Sequence, residues 1–139
     1  MRRSIVAVVA CLLLAALNAS GAHAVLTASV TIDRKGTVTR EGLVTLSGAV
    51  TCTGATGVPT GYIDLLLDQR SGLSESATQV SVTCGSTPTT WTAPLGSFTE
   101  VPFMPGSANA HASLSVCSDV ECVFPDRVDQ LVHLSRRPA

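Results

Sequence analysis

The chain has 139 residues, of which 14% are charged and 4% aromatic, and its formal net charge is −1. Lys35 is its single lysine, and no run of more than two basic residues occurs before Arg136-Arg137. This excludes the electrostatic footprint by which a protein binds nucleic acid or an anionic membrane surface.

The first 24 residues have the layout of an export signal: Arg2 and Arg3, an apolar run of 13 residues from Ile5 to Leu17, then small residues closing on Ala22-His23-Ala24. Cleavage is expected before Val25. The run is shorter than the roughly 20 residues needed to cross the hydrocarbon core, and no later stretch approaches that length. Val8-Val9-Ala10-Cys11 also fits a lipid-attachment pattern, but the hydrophobic run continues past Cys11 to Leu17. Residues 25–139 are therefore read as one secreted, extracellular domain with no membrane attachment after cleavage. Loss of Arg2 and Arg3 leaves 7 basic against 10 acidic residues, a net charge of −3 with His neutral. A domain of this size buries about 65% of its unfolded surface, which leaves little margin and makes disulfides a useful supplement.

The mature sequence is a series of short alternating segments rich in Val, Thr, Leu and Ser, separated by Gly and Pro, without a sustained 3.6-residue period. Leu26, Ala28, Val30 and Ile32 alternate with hydroxyl residues, and Arg34-Lys35-Gly36 reads as a turn. Val44, Leu46, Gly48, Val50 and Cys52 share one parity, so Cys52 points inward. Beyond the Gly/Pro-rich connection, Ile63, Leu65 and Leu67 face inward, while Tyr62, Asp64, Leu66 and Asp68 face outward. Residues 70–76 read as a loop, and Thr78, Val80, Val82 and Cys84 then share an inward parity. Trp91 and Ala93 take one face of the next segment, with Trp91 expected to fill the core near Cys84, and Pro94 marks an edge or a strand end. Val101 to Gly106 reads as a turn of unusual apolar content. Ala108, Ala110, Ala112, Leu114 and Val116 form another inward series, with Cys117 on the opposite parity. The last strand, Val128 to Leu134, sets Val128, Gln130, Val132 and Leu134 against Asp129, Leu131 and His133. About seven short strands in this length fit an all-β, immunoglobulin-like sandwich of two antiparallel sheets.

Four cysteines remain after cleavage, an even number in an exported small domain, which favours disulfides. Three pairings are possible. Cys52 and Cys84 are inward-facing on separate strands, and Cys117 and Cys122 are outward and separated by a hairpin-sized gap, so Cys52–Cys84 and Cys117–Cys122 are expected. A structural zinc site is disfavoured, because two of the cysteines face the core and no C-x-x-C pair occurs.

Val44-Thr45-Leu46-Ser47-Gly48 with Cys52-Thr53-Gly54, Val82-Thr83-Cys84-Gly85 with Trp91, and Pro105-Gly106-Ser107-Ala108 together give the chain its resemblance. It resembles an uncharacterised family of small secreted actinobacterial proteins of immunoglobulin-like shape. That family brings no activity to carry over, and Cys117 and Cys122 lie outside the matched pattern. A weaker likeness is to the enediyne-binding apoproteins, exported sandwiches in which one disulfide closes a short late loop. Their first disulfide also closes a short loop, whereas Cys52 and Cys84 are 32 positions apart.

Motifs for catalysis are sparse. His111 and His133 sit outward on late strands, Asp129 shares the face of His133, and neither G-x-S-x-G nor H-E-x-x-H is present. Asp64 with Asp68, and Asp119 with Glu121, offer carboxylates, but no twelve-residue calcium loop accompanies them. No cofactor, metal or catalytic residue is expected. Phe103 and Met104 in one turn, and Phe124 in another, form a candidate contact patch if they are exposed. The function expected is a noncatalytic binding or interaction module whose partner is an extracellular protein or a small apolar ligand. A small-molecule-sequestering apoprotein and a protease inhibitor are the alternatives.

Overall fold

The computed structural model describes residues 25–138; the signal expected over residues 1–24 lies outside the described residues. Nine strands and no helix are present among them: β1 (Thr27–Ile32), β2 (Lys35–Val38), β3 (Val44–Thr53), β4 (Thr60–Gln69), β5 (Ser74–Thr83), β6 (Thr89–Leu95), β7 (Gly106–Cys117), β8 (Cys122–Val123) and β9 (Val128–Arg136). The β-branched and hydroxyl residues that dominate these segments suit an extended, half-buried backbone. Among the described residues no helix is long and apolar enough to cross a membrane.

Strand β3 pairs antiparallel with β6 on one side and with β1 and then β2 on the other. Strand β2 also pairs with β9, in parallel, and from there the ladder runs β9–β7–β4–β5. The sheet is thus mixed rather than wholly antiparallel, and β2 belongs to both halves of it. The half containing β1, β3 and β6 lies against the half containing β9, β7, β4 and β5, because β1 contacts β7 and β9, and β5 contacts β6, without hydrogen-bonded pairing. The core fills the space between them. Val44, Leu46 and Val50 of β3 meet Ile63, Leu65 and Leu67 of β4 and the Ala108–Val116 series of β7 in one cluster. Each fully buried Val or Leu there stabilises the fold by about 1.5–3 kcal/mol relative to leaving it exposed.

Two glycines allow close approach. A Cβ at Gly48 would lie 1.9 Å from the Thr31 carbonyl oxygen and 2.6 Å from the Trp91 ring, so Trp91 seats on the bare backbone of β3. Its buried indole Nε1 has no hydrogen-bond partner among the described residues. A Cβ at Gly61 would lie 1.8 Å from the Ser115 carbonyl oxygen, so this residue lets β4 and β7 come together.

The inward parities read for β1, β3, β4 and β7 are those observed. Two local expectations fail. The Arg34–Gly36 turn is displaced by β2, which starts at Lys35 because Gly36 slips beneath Leu46 and Leu134 with no side chain in the way. The loop expected over 70–76 is shorter, because Ser74 and Ser76 extend β5 despite being polar, and the Ser74 hydroxyl donates to the Pro102 carbonyl 3.1 Å away. The count rises from about seven strands to nine through β2 and the two-residue β8.

Candidate binding face

Both expected disulfides are present. Cys52 at the end of β3 and Cys84 just beyond β5 have Cα atoms 5.5 Å apart, so the bridge ties the two halves of the sheet together. Around it, the Cys52 N–H donates to the Gly85 carbonyl and the Cys84 N–H to the Pro59 carbonyl. Cys117 and Cys122 face each other directly in the β7–β8 register, Cα atoms 4.0 Å apart. Inside that small loop the Glu121 carboxylate accepts from the Leu26 N–H at 2.6 Å, and Asp119 stands over Gly57.

The turns that carry Phe103, Met104 and Phe124 do not form one surface. Phe103 is 2% exposed and belongs to the core, whereas Met104 and Phe124 are 48% and 72% exposed. Met104 precedes the first residue of β7, and Phe124 follows β8 at its last. Twelve residues of strand separate those ends, roughly 35 Å.

The richest cluster of side chains lies instead on the outward face of β4, β7 and β9. Register places Leu66, His111 and Asp129 in one row and Asp68, Asn109 and Leu131 in the next. The His111 Nδ1 is 2.6 Å from Asp129 Oδ1, and its Nε2 is 3.4 Å from Asp68 Oδ1. Arg127, in the loop before β9, brings Nε to 2.9 Å from Asp129 Oδ1. Asn109 donates to the other Asp68 oxygen at 3.2 Å, and Gln79 of β5 donates to Asp64 at 2.8 Å. A neutral imidazole donates to only one of its two carboxylates; a protonated one donates to both. The ring nitrogens point to opposite sides of the imidazole, so the two carboxylates do not converge with them on a common point.

Asp129 partners His111, not the His133 that shares its strand parity. His133 stands opposite Ser107 on β7 and Lys35 on β2. Asp64 and Asp68 lie roughly 13 Å apart along β4 and are held by different partners. Asp119 and Glu121 are likewise directed to different neighbours.

Around these polar groups stand three apolar side chains, Tyr62, Leu66 and Leu131, exposed by 50%, 49% and 61%. Beside Tyr62, a shallow depression of about 500 Å³ is bounded by Thr60, Ser81, Thr83, Ser115 and Cys117. Parity places Leu66, Asp68, His111 and Asn109 alike on the outward side, and only register sets Asn109 beside Asp68. Arg127 sits in a loop, where parity places nothing.

The Asp129 carboxyl is held below the ordinary aspartate range chiefly by its hydrogen bond to His111, which outweighs the opposing desolvation, with a further contribution from Arg127. A carboxyl whose folded pKa is depressed contributes stability above its unfolded pKa and loses it as pH falls through the folded value. The urea midpoint of Asp129→Asn should therefore trail the native protein at neutral pH and converge with it in acid, below that lowered pKa. A gap that widens on acidification would contradict this assignment.

Residues 26–125 match a family of unknown function, DUF6299. No curated protein matches the chain.

Proposed function

We propose, from the premise that the chain belongs to the DUF6299 family of unknown function, that it is a secreted, noncatalytic binding module with an immunoglobulin-like sandwich arrangement. In this reading β1, β3 and β6 form one layer, and β2, β9, β7, β4 and β5 form the other. The two disulfides are compatible with an extracellular protein. The partner is a protein whose contacting surface carries basic and apolar side chains.

The observation that carries this reading is the position of Tyr62, Leu66 and Leu131. They are exposed in the middle of a regular sheet face, where a solvated strand ordinarily places polar residues. Asp64 lies between Tyr62 and Leu66 along β4, and His111 and Asn109 of β7 lie between Leu66 and Leu131, so the face interleaves exposed apolar side chains with the carboxylates of Asp64, Asp68 and Asp129, suited to steering a basic surface into contact. His111 and Arg127 fix the orientation of two of those carboxylates.

The sequestering alternative draws on the depression beside Tyr62, which is open rather than a deep cleft between layers. The inhibitor alternative draws on the Val101–Gly106 turn. There both the N–H and the carbonyl of Met104 are bound to Gln69, which engages the backbone groups of that residue that a protease cleft would pair with.

The test is capture of a partner from the source culture with the mature protein, repeated with Leu66→Asp and Leu131→Asp and with Leu43→Ser as a control on the β2–β3 turn. The two face variants should weaken capture of one reproducible protein by about tenfold or more, as loss of a central apolar contact does, while the control retains it. Recovery of only a small aromatic molecule, or equal capture by all variants, would overturn the reading.

A further inference from the structure

Backbone geometry singles out one edge of the sheet. Among the described residues strand β5 pairs only with β4. Along an antiparallel ladder, alternate residues direct their N–H and C=O to opposite sides. The Cys84 N–H reaches the Pro59 carbonyl on the β4 side, whereas the Glu75 carbonyl accepts from Phe98 on the far side. Even-numbered residues of β5 therefore bond β4, and the odd-numbered Ala77, Gln79, Ser81 and Thr83 present their backbone groups outward. Only Glu75 has a partner there.

The other edges are blunted. On β6 the outward-directed positions are the even ones, and one of them is Pro94, which has no N–H to offer. Strand β1 has six residues, and just before it the outward N–H of Leu26 is already taken by Glu121. Strand β5 has ten residues, Ser-Glu-Ser-Ala-Thr-Gln-Val-Ser-Val-Thr, with no proline, no lysine and a single charge at Glu75, beyond the open stretch. Strand β6 lies near β5 without hydrogen-bonded pairing, and among the described residues no paired strand, proline or lysine blunts the edge from Ala77 to Thr83.

We propose that this edge pairs with β5 of a second copy of the chain, antiparallel about a two-fold axis at Val80. That register sets Ala77 against Thr83 of the partner subunit and Gln79 against Ser81 of the partner subunit. All four open positions of each copy are then used, in about eight inter-strand hydrogen bonds. It brings the two Val80 side chains together as a β-branched cross-strand pair. The contact is closed and isologous, and it sets no charged residue of β5 opposite another. A second copy suits the edge because the open stretch is uncharged and self-complementary in this register. A basic or acidic strand would gain no charge pairing there. The dimer continues the sheet through β4–β5 into its two-fold mate, so two copies of the Tyr62–Leu66–Leu131 face lie on one surface.

Light scattering on the disulfide-intact mature protein should show its mass doubling as concentration rises into the millimolar range. Hydrogen exchange at Ala77, Gln79, Ser81 and Thr83 should slow over the same range. Ser81→Pro removes an outward N–H without touching the β4 ladder, and it should keep the fold while abolishing both effects. The double variant Ala77→Lys/Thr83→Lys, at two exposed positions, sets like charges opposite each other in the dimer and should also stay monomeric. A native protein that is monomeric at every concentration, or a dimer that persists in both variants, would overturn the proposal. So would edge protection that appears only on adding a synthetic extended peptide, because the edge would then serve a foreign strand.

Discussion

Replacing both Cys52 and Cys84 by alanine should lower the unfolding free energy by about 3.7 kcal/mol, whereas the same change at Cys117 and Cys122 should lower it by about 2. The difference arises in the unfolded chain. The first bridge spans 32 positions and the second 5, so the first removes more of the conformational freedom that folding must overcome. Structure adds to the contrast in the same direction. The first bridge lies in the core and joins the β3 half of the sheet to the end of β5, while the second staples a hairpin already paired by register. Urea unfolding of the two double variants checks the order, and equal losses, or a larger loss at Cys117 and Cys122, would refute it.

Gln69→Leu should destabilise the protein by about 3 kcal/mol, although the substituted residue is close in size and more apolar. The Gln69 side chain is buried at the end of β4 and makes three hydrogen bonds to Met104, in the turn before β7, and to Ser107 at the start of β7. Its Nε2 donates to the Met104 carbonyl at 2.8 Å and to the Ser107 carbonyl at 3.2 Å, and its Oε1 accepts from the Met104 N–H at 2.9 Å. Leucine would leave these backbone groups without partners where water reaches them poorly, and an unmade buried hydrogen bond costs more than a made one contributes. Urea unfolding should show the loss at an unchanged denaturant slope. A loss below about 1 kcal/mol would mean that water replaces the clamp.

Gln69 also shows where reading the chain by parity runs out. It continues the Ile63, Leu65, Leu67 series and so faces inward, but nothing local announces that its partner is a turn 35 residues away. The same limit explains Phe103 and Phe124. Both are aromatic residues next to proline in irregular segments, and only tertiary packing separates the buried one from the exposed one. At His111 the face was legible and the partner was not. Asp129 and His133 share a strand parity, but the β7–β9 register places Asp129 opposite His111 and His133 opposite Ser107. Arg127 could not be placed at all, because a loop residue carries no periodicity.

What the amino-acid order determined by itself was the all-β character, the inward series of the long strands, and which cysteines pair. Alternation is a local property of an extended chain, and a side chain's face follows from its position modulo two. Tertiary structure alone decided the parallel β2–β9 pairing, the bringing together of Asp68, His111 and Asp129, and the open edge at β5. Each of these depends on how one strand is registered against another far away in sequence. That register is set by the packing of both halves of the sheet around a shared core rather than by neighbours along the chain.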